Sequence, residues 1–81
     1  MIFLNGEKMK TYLLVWFNSN GLQPSKVIQS LTSMGFNPIK GRYDFEYDWP
    51  NRPSMDELYA FIDKVQQTLK GTNAFFKVET V

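Results

Sequence analysis

Between Ile39 and Trp49 the chain alternates without a break. Ile39, Gly41, Tyr43, Phe45, Tyr47 and Trp49 take one phase, and Lys40, Arg42, Asp44, Glu46 and Asp48 take the other. A repeat of two marks extended chain with one face buried and the other in water. The buried phase is aromatic and the exposed phase is charged. Such a strand belongs to a layered domain, with helices against one side of a sheet. The pattern predicts Tyr43, Phe45 and Tyr47 in the core and Arg42, Asp44 and Glu46 on the surface. It specifies no chemistry.

The remaining segments complete the layer. Lys10–Asn18, KTYLLVWFN, is apolar in both phases, as a central strand with cover on both sides would be. Ser19-Asn20-Gly21 breaks it. Pro24 suits the first turn of a helix, Val27, Ile28, Leu31 and Met34 recur at helical spacing, and Gly35 stands where a C-terminal cap belongs. Phe36–Ile39 reads as a short strand, and Pro38 places it at an edge. Gly41 either turns the chain into a second strand, Arg42–Asp48, or bends one long strand; its presence and the length of the segment favour the hairpin. Ser54-x-x-Glu57 is a capping box that opens a second helix, with Met55, Leu58, Phe61, Ile62, Val65 and Leu69 as its stripe and Gly71 at its end. A last strand spans Ala74–Val81, with Phe76 and Val78 toward the helices and Phe75, Lys77 and Glu79 away from them. Asn5-Gly6 is a hairpin signal that folds Ile2–Leu4 onto Glu7–Lys10; the alternative is that residues 1–9 form an extension.

Strand, helix, strand pair, helix, strand in a single domain over residues 1–81 predicts an α+β fold of the ferredoxin-like split βαβ type. That fold has a four-stranded antiparallel sheet with two helices on one face. An extra N-terminal strand would add to it. If residues 36–49 form one strand, a three-stranded βαβαβ sheet results instead.

Composition removes several classes of function. Nine basic and eight acidic residues leave a formal charge of +1, without the basic excess of a dedicated polyanion binder. The chain has no Cys and no His, hence no thiolate nucleophile, no thiolate metal site and none of the commonest acid–base side chain. It has no nucleophile elbow and no phosphate-cradling glycine loop. Neither catalysis nor a bound cofactor is expected. Asp44, Glu46 and Asp48 share a phase, but same-face strand neighbours stand ~6.6 Å apart and the outer two ~13 Å, too far for one hard cation. Cross-strand pairs with Lys40, Arg42 or Lys77 suit them better. No apolar run approaches the ~20 residues that span a bilayer, and MIFL lacks the anatomy of a signal peptide, so a cytoplasmic protein is expected.

Two resemblances deserve a test. The opening MIFLNGE is similar to the start of ubiquitin-like sulfur-carrier proteins over seven residues, but their terminal Gly-Gly is not matched by Glu79-Thr80-Val81. Lys40-Gly41-Arg42-Tyr43-Asp44-Phe45-Glu46-Tyr47 resembles the third-strand motif of the RNA-recognition motif in its opening Lys-Gly and its last aromatic. The slots that stack bases there fall on Arg42 and Asp44, and an aspartate offers no ring and repels phosphate.

What remains is surface. With helices on one side only, Tyr12, Leu14, Trp16 and Phe75 cluster on the open side of the sheet. Apolar patches of that kind rarely stay wet on a monomer. The expected function is a small non-catalytic binding or assembly domain that forms a homodimer through its sheet face. Sequence-tolerant binding of single-stranded nucleic acid on that face is the alternative, with Trp16 as its one supporting residue. Trp49 and Arg52, in the stiff loop Trp49–Pro53, are further candidates for partner binding, since both types are favoured at hot spots. Against that, Trp49 also suits a plug for the end of the core.

Overall fold

The computed structural model describes residues 9–21 and 23–81. The pairing expected for Ile2–Leu4 across Asn5-Gly6 lies outside the described residues. Six elements follow in order: β1 (Lys10–Trp16), α1 (Pro24–Ser33), β2 (Asn37–Pro38), β3 (Phe45–Asp48), α2 (Met55–Leu69) and β4 (Phe75–Thr80). The strands form one antiparallel sheet in the order β2-β3-β1-β4. β1 and β2 therefore run parallel to each other with β3 between them, and β4 flanks β1 on its other side.

The segment 36–49 is a hairpin and not one strand, so the three-stranded alternative falls. Gly41 supplies the reason: its φ of +107° lies in the left-handed region, where a turn can reverse the chain and a side chain would be strained. The Ile39 N–H donates to the Asp44 carbonyl at 3.0 Å and closes the loop. β2 is only two residues long, and Pro38 stands at this edge as anticipated.

Burial explains why the helices form where they do. Leu13 and Val15 of β1, Val27 and Leu31 of α1, Phe36, Phe45, and Val65 and Leu69 of α2 make one buried cluster. β1 contributes alternate residues to it, and each helix contributes one stripe. Of the residues assigned to those stripes, Ile28 is 36% exposed, at the stripe's margin, and Met55 is 58% exposed, being the first helical residue, beyond the cluster. The capping box of α2 is complete: Glu57 N–H donates to Ser54 Oγ at 3.1 Å, and Ser54 N–H donates to Glu57 Oε1 at 2.8 Å. Gly35 follows α1 at φ +105°, and a Cβ there would come within 2.9 Å of the Tyr47 ring. The glycine thus ends the helix and makes room for β3 at once.

One expectation about the aromatic strand is overturned. Tyr43 does not join Phe45 in the core. It stacks on Tyr12, on the other face of the sheet, at a ring-centroid distance of 4.6 Å. The cause is local. Leu13 opposes Phe45, yet its carbonyl also accepts from the Asp44 N–H at 3.0 Å. Two residues thus face one, the arrangement of a β-bulge, and the side-chain phase shifts by one residue. Asp44 stabilises the irregularity by accepting the Val15 N–H on its Oδ2 at 2.9 Å.

Candidate interaction surface on the open sheet face

The open face is built by the residues of β1 that do not enter the core, Lys10, Tyr12, Leu14 and Trp16, and by their cross-strand neighbours. Registers set the rows. Lys10 stands opposite Asp48, Tyr12 lies between Glu46 and Glu79, Leu14 faces Lys77, and Trp16 faces Phe75. The four residues expected to cluster, Tyr12, Leu14, Trp16 and Phe75, therefore do share this face.

The face is divided along β1. At one end Lys10 Nζ lies 3.4 Å from Glu46 and 3.5 Å from Asp48. The hydrogen bond to Glu46 and the two carboxylates hold the Lys10 ammonium above its ordinary range. The cation that pairs with this acidic strand is thus Lys10, not Lys40, Arg42 or Lys77. Glu46, expected to be exposed, is partly buried, with its side chain 20% exposed. Asp44, Glu46 and Asp48 do not converge, because Asp44 is spent on the Val15 amide while the other two flank Lys10.

In the middle, Tyr43 lies on Tyr12 with 20° between the rings, and its hydroxyl donates to Glu79 Oε1. That hydrogen bond raises the Tyr43 phenol above its ordinary range, with partial desolvation and the Glu79 charge acting in the same direction. A face of each ring is consequently occupied by the other. At the far end the side chains are exposed. Trp16 is 53% exposed and Phe75 69%, although they are direct partners across β1 and β4. A cleft of about 600 Å³ opens beside Phe75, between the end of α2 and the start of β4, with Asp63, Gln66, Lys70 and Asn73 among its polar lining.

Trp49 and Arg52 are placed apart from this patch. The Trp49 ring packs on Tyr47 and Phe61 at centroid distances of 5.1 and 5.0 Å. Its Nε1–H donates to Thr11 Oγ1 at 2.8 Å, and Thr11 is fully buried. Trp49 plugs the end of the core, and Arg52 lies exposed in the loop beyond it.

Sequence reasoning missed two residues of the face, Lys10 and Tyr43, while Phe75, Lys77 and Glu79 stand on it as the outward phase of β4 predicts. Tyr43 carried no signal, because no residue type announces the bulge. Compared with known proteins, the chain matches no protein-family model, no curated protein and no solved structure. No helix among the described residues is long and apolar enough to cross a membrane.

Proposed function

We propose that this chain is a small binding and assembly domain without catalysis of its own, and that it self-associates through its open sheet face. One observation carries the reading. Trp16 and Phe75 stand side by side on adjacent strands, each more than half exposed. Two large rings kept in water at one end of a sheet favour a contact that removes them from it. A homodimer is the simplest such contact. Lys10 is already tied to Glu46 and Asp48, and Tyr43 to Glu79, which favours binding over proton transfer.

We read the architecture as the ferredoxin-like split βαβ arrangement. The support is the strand order, the antiparallel sense of every neighbouring pair, and β3 lying between the parallel β1 and β2. The cytoplasmic setting expected from the sequence belongs to the same proposal and draws on the sequence alone.

Nucleic-acid binding is the second reading, and the same two rings favour it, since free aromatic faces stack bases. Its electrostatics are poor. Glu46, Asp48 and Glu79 share the face, and Tyr12 is covered by Tyr43. Sedimentation equilibrium from micromolar to millimolar concentration tests self-association directly. Leu14→Glu is the variant of choice, because Lys77 stands opposite and accommodates the new carboxylate in the monomer. A contact that buries this face would be broken by it, the charge being buried only in the dimer. A wild type that stays monomeric, while a generic oligonucleotide quenches Trp16 fluorescence in low salt, would replace the first reading by the second.

A further inference from the structure

Beyond the face, the sheet has an edge that is unusually well suited to a second copy of the same chain. The two edges differ. The β2 edge is two residues long and carries Pro38, two of the devices that prevent strand addition. The β4 edge runs for six residues, Phe75–Thr80, without proline. Among the described residues no strand lies beyond it.

The backbone geometry of β4 follows from its pairing with β1. Lys10 and Val81 exchange both backbone hydrogen bonds, at 2.9 and 3.0 Å. In an antiparallel ladder such pairs alternate with pairs that exchange none. Counting along the register, Phe75, Lys77 and Glu79 direct their N–H and C=O groups at β1. Phe76, Val78 and Thr80 direct theirs outward, away from the sheet.

We infer that β4 pairs antiparallel with β4 of a second copy about a twofold axis at Val78. In that register Val78 meets Val78, and Phe76 meets Thr80 in both directions. Every outward-facing backbone group of the strand then finds a partner. The side chains agree. Lys77 falls opposite Glu79 of the second copy, and Glu79 opposite its Lys77, in the closely spaced positions where cross-strand charges interact best. Phe75 falls opposite Val81, which is 65% exposed, and Trp16 continues the row on the inner side. Neighbouring twofold registers lack this fit. An axis at Lys77 sets two ammonium groups against each other and Phe75 against a carboxylate. An axis at Glu79 opposes two carboxylates. A lone Lys77 would protect the edge; Lys77 and Glu79 two residues apart make it self-complementary.

The inference rests on the proposed self-association but does not require the face to be the contact, so the two can fail separately. The experiment is residue-resolved amide hydrogen exchange on the full chain, at concentrations where sedimentation shows monomer and then dimer. The amides of Phe76, Val78 and Thr80 are expected to exchange freely in the monomer and to become protected as the dimer forms. Lys77→Glu should weaken association roughly tenfold in low salt, two attractive pairs becoming repulsive, and Lys77→Glu with Glu79→Lys should restore it. Protection of the three amides already in the monomer would mean that another segment of the chain holds the edge, and would overturn the inference. So would a dimer that leaves them unprotected, or a double variant no better than the single one. A dimer broken by Leu14→Glu but indifferent to Lys77→Glu would leave the face contact standing and remove this one. Monomer at every concentration would remove both.

Discussion

Thr11→Val tests whether Trp49 belongs to the fold or to a binding surface. Thr11 is fully buried, and its Oγ1 lies 2.8 Å from Trp49 Nε1 and 2.9 Å from Thr80 Oγ1. An indole N–H can only donate, so Thr11 accepts from Trp49, and the bond to Thr80 runs in either direction. Valine keeps the shape and removes the hydroxyl. Two hydrogen bonds are lost, each contributing about 0.5–1.5 kcal/mol net, and a donor left without its partner costs about 1–3 kcal/mol. Trp49 is only half buried, so water recovers part of that cost, and a loss of about 2 kcal/mol is expected. Against the roughly 4–12 kcal/mol that a domain of this size has in total, the effect is large. Urea unfolding followed by circular dichroism should show a lower midpoint at unchanged slope. Trp49→Phe should cost a similar amount, and the double variant should cost less than the two together by about 1 kcal/mol. Additive single effects, or a Thr11→Val loss below about 0.5 kcal/mol, would mean that Thr11 does not anchor Trp49. The ring would then be free to serve a partner.

Phe45→Ala should cost about 3–5 kcal/mol, because the ring is 4% exposed at the centre of the shared cluster; chemical denaturation measures it, and a loss under about 1 kcal/mol would contradict the layer assignment. The Tyr43 phenol should ionise above the ordinary tyrosine range in an ultraviolet titration, since the hydrogen bond it donates to Glu79 exists only in the protonated form. A folded value raised above the ordinary 10.0 gives stability that is complete below pH 10 and is lost as pH climbs through the raised value. Tyr43→Phe should remove that alkaline phase, and a phase that persists in the variant would assign it elsewhere.

The elements were legible in the sequence because each has a local cause. A two-residue repeat, a capping box, a proline at a helix start and a glycine at each helix end locate strands and helices without knowledge of the fold. The central position of β1 was legible too, from a run that is apolar in both phases. The phase of Tyr43 was not. It depends on Asp44 accepting the Val15 amide, a contact between residues far apart in sequence that repays the ladder bond lost at the bulge. The pairing of Lys10 with Glu46 and Asp48 was hidden for the same reason, since it follows from the β1–β3 register and not from either segment alone. In the candidate surface, Trp16 and Phe75 could be anticipated from parity. Trp49 as a plug for the end of the core could be anticipated too, but its anchor on the buried Thr11 hydroxyl could not.

The two edges of the sheet also decide how far any assembly can grow. A chain that adds copies through both edges forms open arrays, whereas a twofold contact that uses one edge closes on itself. Here the edges are unequal for residue-level reasons: Pro38 and a two-residue strand at one side, six residues with alternating Lys77 and Glu79 at the other. Pairing about Val78 would consume the β4 edge of both copies and leave only the β2 edges outermost. Those offer too few backbone groups, and a proline among them, to extend the sheet further. Assembly through β4 would therefore stop at two copies, with the Trp16–Phe75 rows of both on one continuous face. In the Leu14→Glu variant, whose open face is disabled, a mass that still rises past the dimer with concentration would contradict this reasoning, because it would require the β2 edge to recruit a third copy.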